Sequence, residues 1–228
     1  LNIRILQLIE GAKEARGLTV VIDVFRAFSV EAYLLSMGAR AIIPVGDSEL
    51  AYRLKREHPE MLLAGERHGK IMPGFDMGNS PSEIVPERVK GKVVVHTTSA
   101  GTQGIANAVN ASEILGGALV NAKATADYIR RSGAEEVSLV CMGLQAEKET
   151  EEDTLCAEYI KSLLENKPFD LIPPMEALRY TSGAKFFDPK RNDVFPEADF
   201  HMCTKPNLFD FVLKYGAECE GYPAIVKG

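Results

Sequence analysis

Acids and arginines recur in the 228-residue sequence at points where apolar runs give way to polar residues. Val20-Val21-Ile22-Asp23-Val24-Phe25-Arg26 delivers a carboxylate and, three residues on, a guanidinium. Gly65-Glu66-Arg67-His68-Gly69 follows a second apolar run, again with acid beside base. Pro73-Gly74-Phe75-Asp76-Met77-Gly78-Asn79-Ser80-Pro81 interleaves Asp76, Asn79 and Ser80 with glycine and proline, so this loop's backbone can approach a ligand closely. Val93-Val94-Val95-His96-Thr97-Thr98-Ser99-Ala100-Gly101-Thr102 runs from a strand through hydroxyls into a helix start, which suits an anion. Leu139–Gly143 is a further apolar run, with Glu152 and Asp153 opening the helix behind it. Several acids and anion-binding groups at one rim suit a hard divalent cation with oxygen ligands, bridging to a phosphate or sulfonate. Each segment also has a plainer reading as a helix cap, a tight turn or a local ion pair.

Spacing excludes other chemistries. A thiolate phosphatase needs an Arg six residues after its Cys, but Cys141, Cys156 and Cys203 have Glu147, Ser162 and Phe209 there. No Gly-x-Ser-x-Gly elbow occurs, and Asp23 is followed two residues later by Phe25 rather than a second Asp. The Thr97–Thr102 segment lacks the lysine of a nucleoside triphosphate loop. No His pair or Cys/His cluster supports zinc. His68 and His96 read as structural or supporting groups rather than ligands, and His58 and His201 have no companions.

The elements that would position these residues follow from the pattern of apolar positions. Ile3–Leu8, Leu18–Val24, Ala41–Val45, Met61–Ala64, Lys92–His96 and Val137–Met142 read as strands, and Ala27–Met37, Ser48–Glu57, Thr102–Val109, Ala122–Ser132 and Glu151–Glu165 as helices. Strand-helix alternation predicts an α/β fold, a three-layer α/β/α sandwich on a largely parallel, mixed sheet. Ligands of such sheets bind beyond the carboxyl ends of the strands, where the acids and arginines stand. Gly38, Gly133 and Gly216 are read as helix C-terminal caps. Prolines punctuate the chain after Asn166, predicting shorter elements there. Residues 1–228 are expected to form a single domain, with two lobes as the alternative and a less regular part from about 167.

Composition narrows the partners. Apolar residues are 46% and charged residues 25%, the globular balance, and the net charge of −6 provides no bulk field for nucleic acid or anionic lipid. Four scattered cysteines, no apolar run of membrane length and no signal-peptide pattern predict a reduced, cytoplasmic protein without a membrane partner. A homodimer is left open.

Read together, Val20–Arg26, Gly65–Arg67, Gly74–Pro81, Thr97–Thr102, Asn121–Ala122 and Glu152–Asp153 resemble the 2-phosphosulfolactate phosphatase (ComB) family, with Gly-Phe-Asp-Met-Gly-Asn-Ser-Pro the most specific block. The resemblance implies a Mg²⁺-dependent phosphatase of α/β/α fold that converts (R)-2-phospho-3-sulfolactate to 3-sulfolactate and phosphate, as in coenzyme M biosynthesis. It implies catalytic roles for Asp23, Arg26, Glu66 and Asp76. Substrate binding would fall to Arg26, Arg67, Asn79, Ser80, Thr97, Thr98, Gly101 and Thr102, and the metal to some of Asp23, Glu66, Asp76 and Asp153. Two departures, Ala27-Phe28-Ser29-Val30 and Ser99-Ala100-Gly101-Thr102, bear on the substrate. The alternatives are a metal phosphatase for another small phosphorylated hydroxy acid and a non-catalytic binder of a small anion.

Overall fold

The β-branched runs form strands, most of them buried on both faces as their composition favours. In chain order the elements are β1 (Asn2–Gln7), α1 (Leu8–Glu14), β2 (Gly17–Ile22), α2 (Ala27–Ser36), β3 (Ala41–Pro44), α3 (Ser48–Glu57), β4 (Leu62–Arg67), β5 (Lys70–Ile71), α4 (Pro86–Val89), β6 (Val93–Thr97), α5 (Gly101–Asn107), β7 (Ala111–Gly117), α6 (Ala122–Ser132), β8 (Glu136–Cys141), α7 (Glu151–Leu164), α8 (Ile172–Ala177), α9 (Glu197–Cys203), β9 (Leu213–Cys219) and β10 (Tyr222–Lys227). The structure, a computed structural model, describes residues 1–228.

The strands form one mixed sheet in the order β1-β8-β2-β7-β9-β10-β3-β6-β4-β5. Neighbours among β1, β8, β2 and β7 are parallel, and so are those among β3, β6 and β4. The C-terminal hairpin β9–β10 lies between these two groups, antiparallel to β7 on one side and to β3 on the other. The two parallel groups therefore run in opposite senses along the sheet. Twist of about 20–25° at each neighbour, taken over the six steps from β2 to β4, offsets much of that reversal. As a result the carboxyl ends of β2 and β8 open onto the same cleft as those of β4 and β6.

Helices cover both faces, as the strand-helix alternation predicts. Leu18, Val20 and Ile22 of β2 pack with Ala126 and Ile129 of α6 and Ile160 of α7. Val21 belongs to the opposite face, with Ala12 of α1, Leu34 of α2 and Ile105 of α5. On the other half of the sheet, Ile43, Leu63 and Val95 pack with Ala51 and Leu54 of α3. Residues Ala27 to Leu35 of α2 are all buried, as befits a helix apolar on nearly every side. Its single charged residue, Glu31, therefore needs a partner inside the protein. Helices α2 and α5 carry the chain between the two halves of the sheet, and both begin beside the cleft.

Several features depart from the sequence reading. Strand β7, the hairpin β9–β10 and helix α1 were not among the expected elements. In β7 two glycines mask the strand signal, yet packing requires them: a Cβ at Gly116 would stand 2.5 Å from Phe28 and one at Gly117 2.6 Å from Val20. Gly216 is not a helix cap. It lies inside β9, where Tyr215 pairs with Ile225 and Ala217 with Ala224, leaving Gly216 as the extra residue of a bulge at φ 110°. Beyond residue 167 the chain forms the short helices α8 and α9 and several 3₁₀ turns, in keeping with its prolines.

Candidate active site

The strand ends enclose a cleft of about 380 Å³. Asp23, Phe25 and Arg26 enter it after β2, Glu66 from the end of β4, Thr98 to Ala100 after β6, and Gly143 to Gln145 after β8. The acids there fall into two kinds. Glu66 accepts the Gly69 N–H at 2.6 Å and the Ser99 N–H at 2.9 Å, one on each oxygen. Asp153 accepts the Val24 and Gly143 N–H groups, both at 2.8 Å. These two carboxylates tie loops of neighbouring strands together. Asp23 accepts the Ala27 N–H through Oδ1 at 3.2 Å, holding the start of α2, and its Oδ2 accepts no hydrogen bond. Glu152, buried behind it, accepts none, and its Oε2 is enclosed without a partner. Burial pushes the Asp23 carboxyl up to about 6; the Ala27 N–H opposes this and the charges of Glu152 and Glu66 add to it. Asp153 is raised as well, by burial and then by Glu152 and Asp23.

Cations face these acids. Lys185 lines the cleft with its ammonium 5.8 Å from the Phe25 ring centre and 5.4 Å from those of Phe186 and Phe195. It donates to no protein acceptor, and burial lowers its pKa against the raising effect of Glu152. Arg26 donates to Asp199 at 2.6 Å and lies over Phe195 at 4.8 Å. Its remaining N–H groups have no protein acceptor. Arg191 covers the outer face of the same ring at 4.6 Å. Asn79 also lines the cleft, its Oδ1 3.2 Å from His96 Nε2. The cleft thus holds free carboxylate oxygens, for a cation, opposite unshared cationic donors, for an anion.

Residues 3–218 match the family model described as 2-phosphosulpholactate phosphatase. The chain belongs to that family. It is 37% identical over 213 residues to a probable 2-phosphosulfolactate phosphatase of Caldicellulosiruptor saccharolyticus, covering 86% of this chain and 88% of the relative. Proteins of the same name from Bacillus subtilis (32% over 201 residues, 86% of each chain) and Thermoplasma volcanium (30% over 214 residues, 92% and 95%) are also similar.

For this member of the 2-phosphosulpholactate phosphatase family, several expected site residues stand elsewhere. Asp76 is outside the cleft; its Oδ2 accepts the Leu63 N–H at 2.9 Å and pairs with Lys55 at 3.3 Å, pinning the Pro73–Pro81 loop to β4. Arg67 donates to the Thr97 hydroxyl at 3.0 Å and to the Glu66 carbonyl at 2.8 Å, and neither Arg67 nor Thr97 lines the cleft. Ser80 donates to Asp199 at 2.8 Å, and so supports Arg26 indirectly. Thr98 and Thr102 cap each other, through Thr102 N–H to Thr98 Oγ1 at 3.3 Å. With the Ser99 N–H given to Glu66 and the Thr98 N–H to Thr102 Oγ1, the expected anion cradle has three of its amides already engaged. Gly101 serves by close approach: a Cβ there would meet Ala27 at 2.8 Å and Asp23 Oδ2 at 3.1 Å. No three acidic, histidine or cysteine side chains converge as a protein-only metal cage.

Sequence reasoning missed Lys185, Arg191 and Asp199, and left Glu152 as a helix start. Lys185 had one visible signal, a cation beside Phe186 and Phe187 after a glycine, but nothing local ties that segment to β2.

Proposed function

We propose that this cleft hydrolyses 2-phosphosulfolactate to 3-sulfolactate and inorganic phosphate with Mg²⁺ as cofactor, the reaction that serves coenzyme M biosynthesis. The observation that carries the reading is one cleft lined by Asp23, which leaves an oxygen free, and by two cations holding unshared donors, Arg26 and Lys185, with the uncommitted carboxylate of Glu152 buried behind Asp23. The enclosed, unpartnered Oε2 of Glu152 beside a raised Asp23 fits a bound cation, since an orphaned carboxylate oxygen is costly without one. Two carboxylates also suit Mg²⁺, which is commonly held by one or two acids and completed by water and phosphate. Asp23 and Glu152 would hold the ion, with Glu66 and Asp153 fixing the loops around them. Bound there, Mg²⁺ supplies Lewis-acid polarisation of the phosphoryl group.

The chain's own residues do the rest. Arg26 presents guanidinium N–H groups to the phosphoryl oxygens while Asp199 fixes its plane, so developing charge meets donors that are already oriented. Lys185 stands in low-dielectric surroundings among three rings, where its charge acts strongly on a nearby anion. The substrate bears carboxylate and sulfonate besides phosphate, and Arg191 offers a further cation at the same ring. The closed floor of buried side chains limits water to what the cleft admits.

The test is phosphate release from racemic 2-phosphosulfolactate, with Mg²⁺ and with EDTA, beside 2-phospholactate and 2-phosphoglycerate. Mg²⁺-dependent release confined to the sulfonated ester is expected. Equal release from all three discards the sulfonate specificity, and silence with every ester discards the phosphatase.

A further inference from the structure

On the side of the cleft formed by β6 and α2, a file of buried polar side chains runs Glu31–His96–Asn79. His96 Nδ1 lies 2.9 Å from Glu31 Oε1, and its Nε2 lies 3.2 Å from Asn79 Oδ1. Glu31 and His96 are wholly enclosed. Neither touches the acids or cations assigned to the reaction. A buried charged or polar pair is commonly no more stabilising than apolar side chains of the same volume, so packing alone does not account for this one. Glu31 Oε2 has no partner at all, which makes the pair still less useful as a stabilising element.

Its protons are nevertheless defined by what it touches. Asn79 Oδ1 can only accept, so His96 Nε2 carries a hydrogen and donates it. Burial favours the neutral Glu31 carboxyl and the hydrogen bond to His96 opposes this. Asn79 Oδ1 is thereby held away from the cleft. Its Nδ2 has no protein acceptor, and the residue lines the cleft wall.

We propose that Glu31 and His96 are positioning residues that lock the Asn79 amide so that its Nδ2–H₂ group points at the phosphoryl oxygens of the substrate. This rests on the phosphatase reading. An amide can turn by 180° with little change of shape, and the turned form would present an oxygen to an anion. The file makes the turned form unfavourable, because His96 Nε2–H would then face an N–H₂ group. The sequence places the three parts on separate elements, and the fold brings them into line.

The experiment is a mutant cycle on inorganic phosphate binding, read by calorimetry in Mg²⁺, with kcat and KM for 2-phosphosulfolactate measured alongside. Asn79→Ala and His96→Leu should each weaken phosphate binding about tenfold, the scale of one hydrogen bond to a charged group. The double variant should be no weaker than Asn79→Ala alone, since His96 acts only through Asn79. His96→Gln, whose terminal amide can still donate to Asn79, should recover most of the binding and of kcat. Where His96→Leu does not fold, the same cycle with His96→Met, which fills similar space without a donor, decides the question. Losses that add in the double variant, or wild-type binding in His96→Leu, overturn the relay while leaving phosphate release in place. The expected binding pattern without release from any ester keeps the relay and overturns the phosphatase reading. A wild-type protein that binds no phosphate overturns the relay, and the ester assay alone decides the phosphatase reading.

Discussion

Asp23 holds the start of α2 with one oxygen and leaves the other to the cleft, so its removal separates structure from chemistry. Asp23→Asn keeps the shape and an acceptor for the Ala27 N–H but loses the charge. Phosphate release should fall at least a hundredfold while the folded state survives, which a stopped assay and a melting curve check together. Glu152→Gln should likewise remove Mg²⁺-dependent release and weaken Mg²⁺ binding measured by calorimetry. Lys185→Met keeps the aliphatic contact with the three rings but removes the ammonium, so KM for a multiply anionic ester should rise about tenfold or more. Of these residues the sequence exposed Asp23 through its strand end and hid Lys185. The strand-end signal is local, whereas Lys185 reaches the cleft only because Phe25, Phe186 and Phe195 pack around it.

At the scale of elements, much of the first 165 residues was legible, because β2, β6 and β8 are long apolar runs and α3 and α6 begin and end where their patterns do. What escaped was set by partners distant in sequence. Strand β7 is spoiled locally by the glycines that Phe28 and Val20 demand, and the hairpin's edge is broken by the bulge at Gly216. The most specific block of the sequence, Gly74–Pro81, contributes Asn79 to the cleft and spends Asp76 and Ser80 on holding loops. Asp76→Ala should therefore lower stability by about 1 kcal/mol, read from denaturant unfolding, and leave phosphate release nearly unchanged. Asp199 differs sharply: it joins α9 to Arg26, Ser80 and Ser82 in the interior. Asp199→Ala strands the Arg26 charge and should cost about 3–5 kcal/mol as well as activity.

Across the whole molecule the crowded acids tie stability to pH. The Asp23 carboxyl lies at about 6 in the folded protein against an ordinary value of 3.8, so the folded state keeps a proton that the unfolded chain has released. The contribution of Asp23 is then fullest below pH 4, falls as pH rises through the window from about 4 to 6, and stays reduced above it, by an amount on the order of 2–3 kcal/mol. Metal-free protein should melt lower at pH 8 than at pH 5, Asp23→Asn should flatten that difference, and Mg²⁺ should restore the melting temperature at pH 8. The sheet itself has a further consequence. Its two middle strands follow the other eight in chain order, and each closes an edge, β7 on one side and β3 on the other. Until they arrive, a nascent chain carries two separate parallel half-sheets, each with an open flank able to pair with a stranger. The hairpin from Leu213 to Lys227 therefore acts as the molecule's keystone, and the chain is most open to wrong pairing before that hairpin is in place.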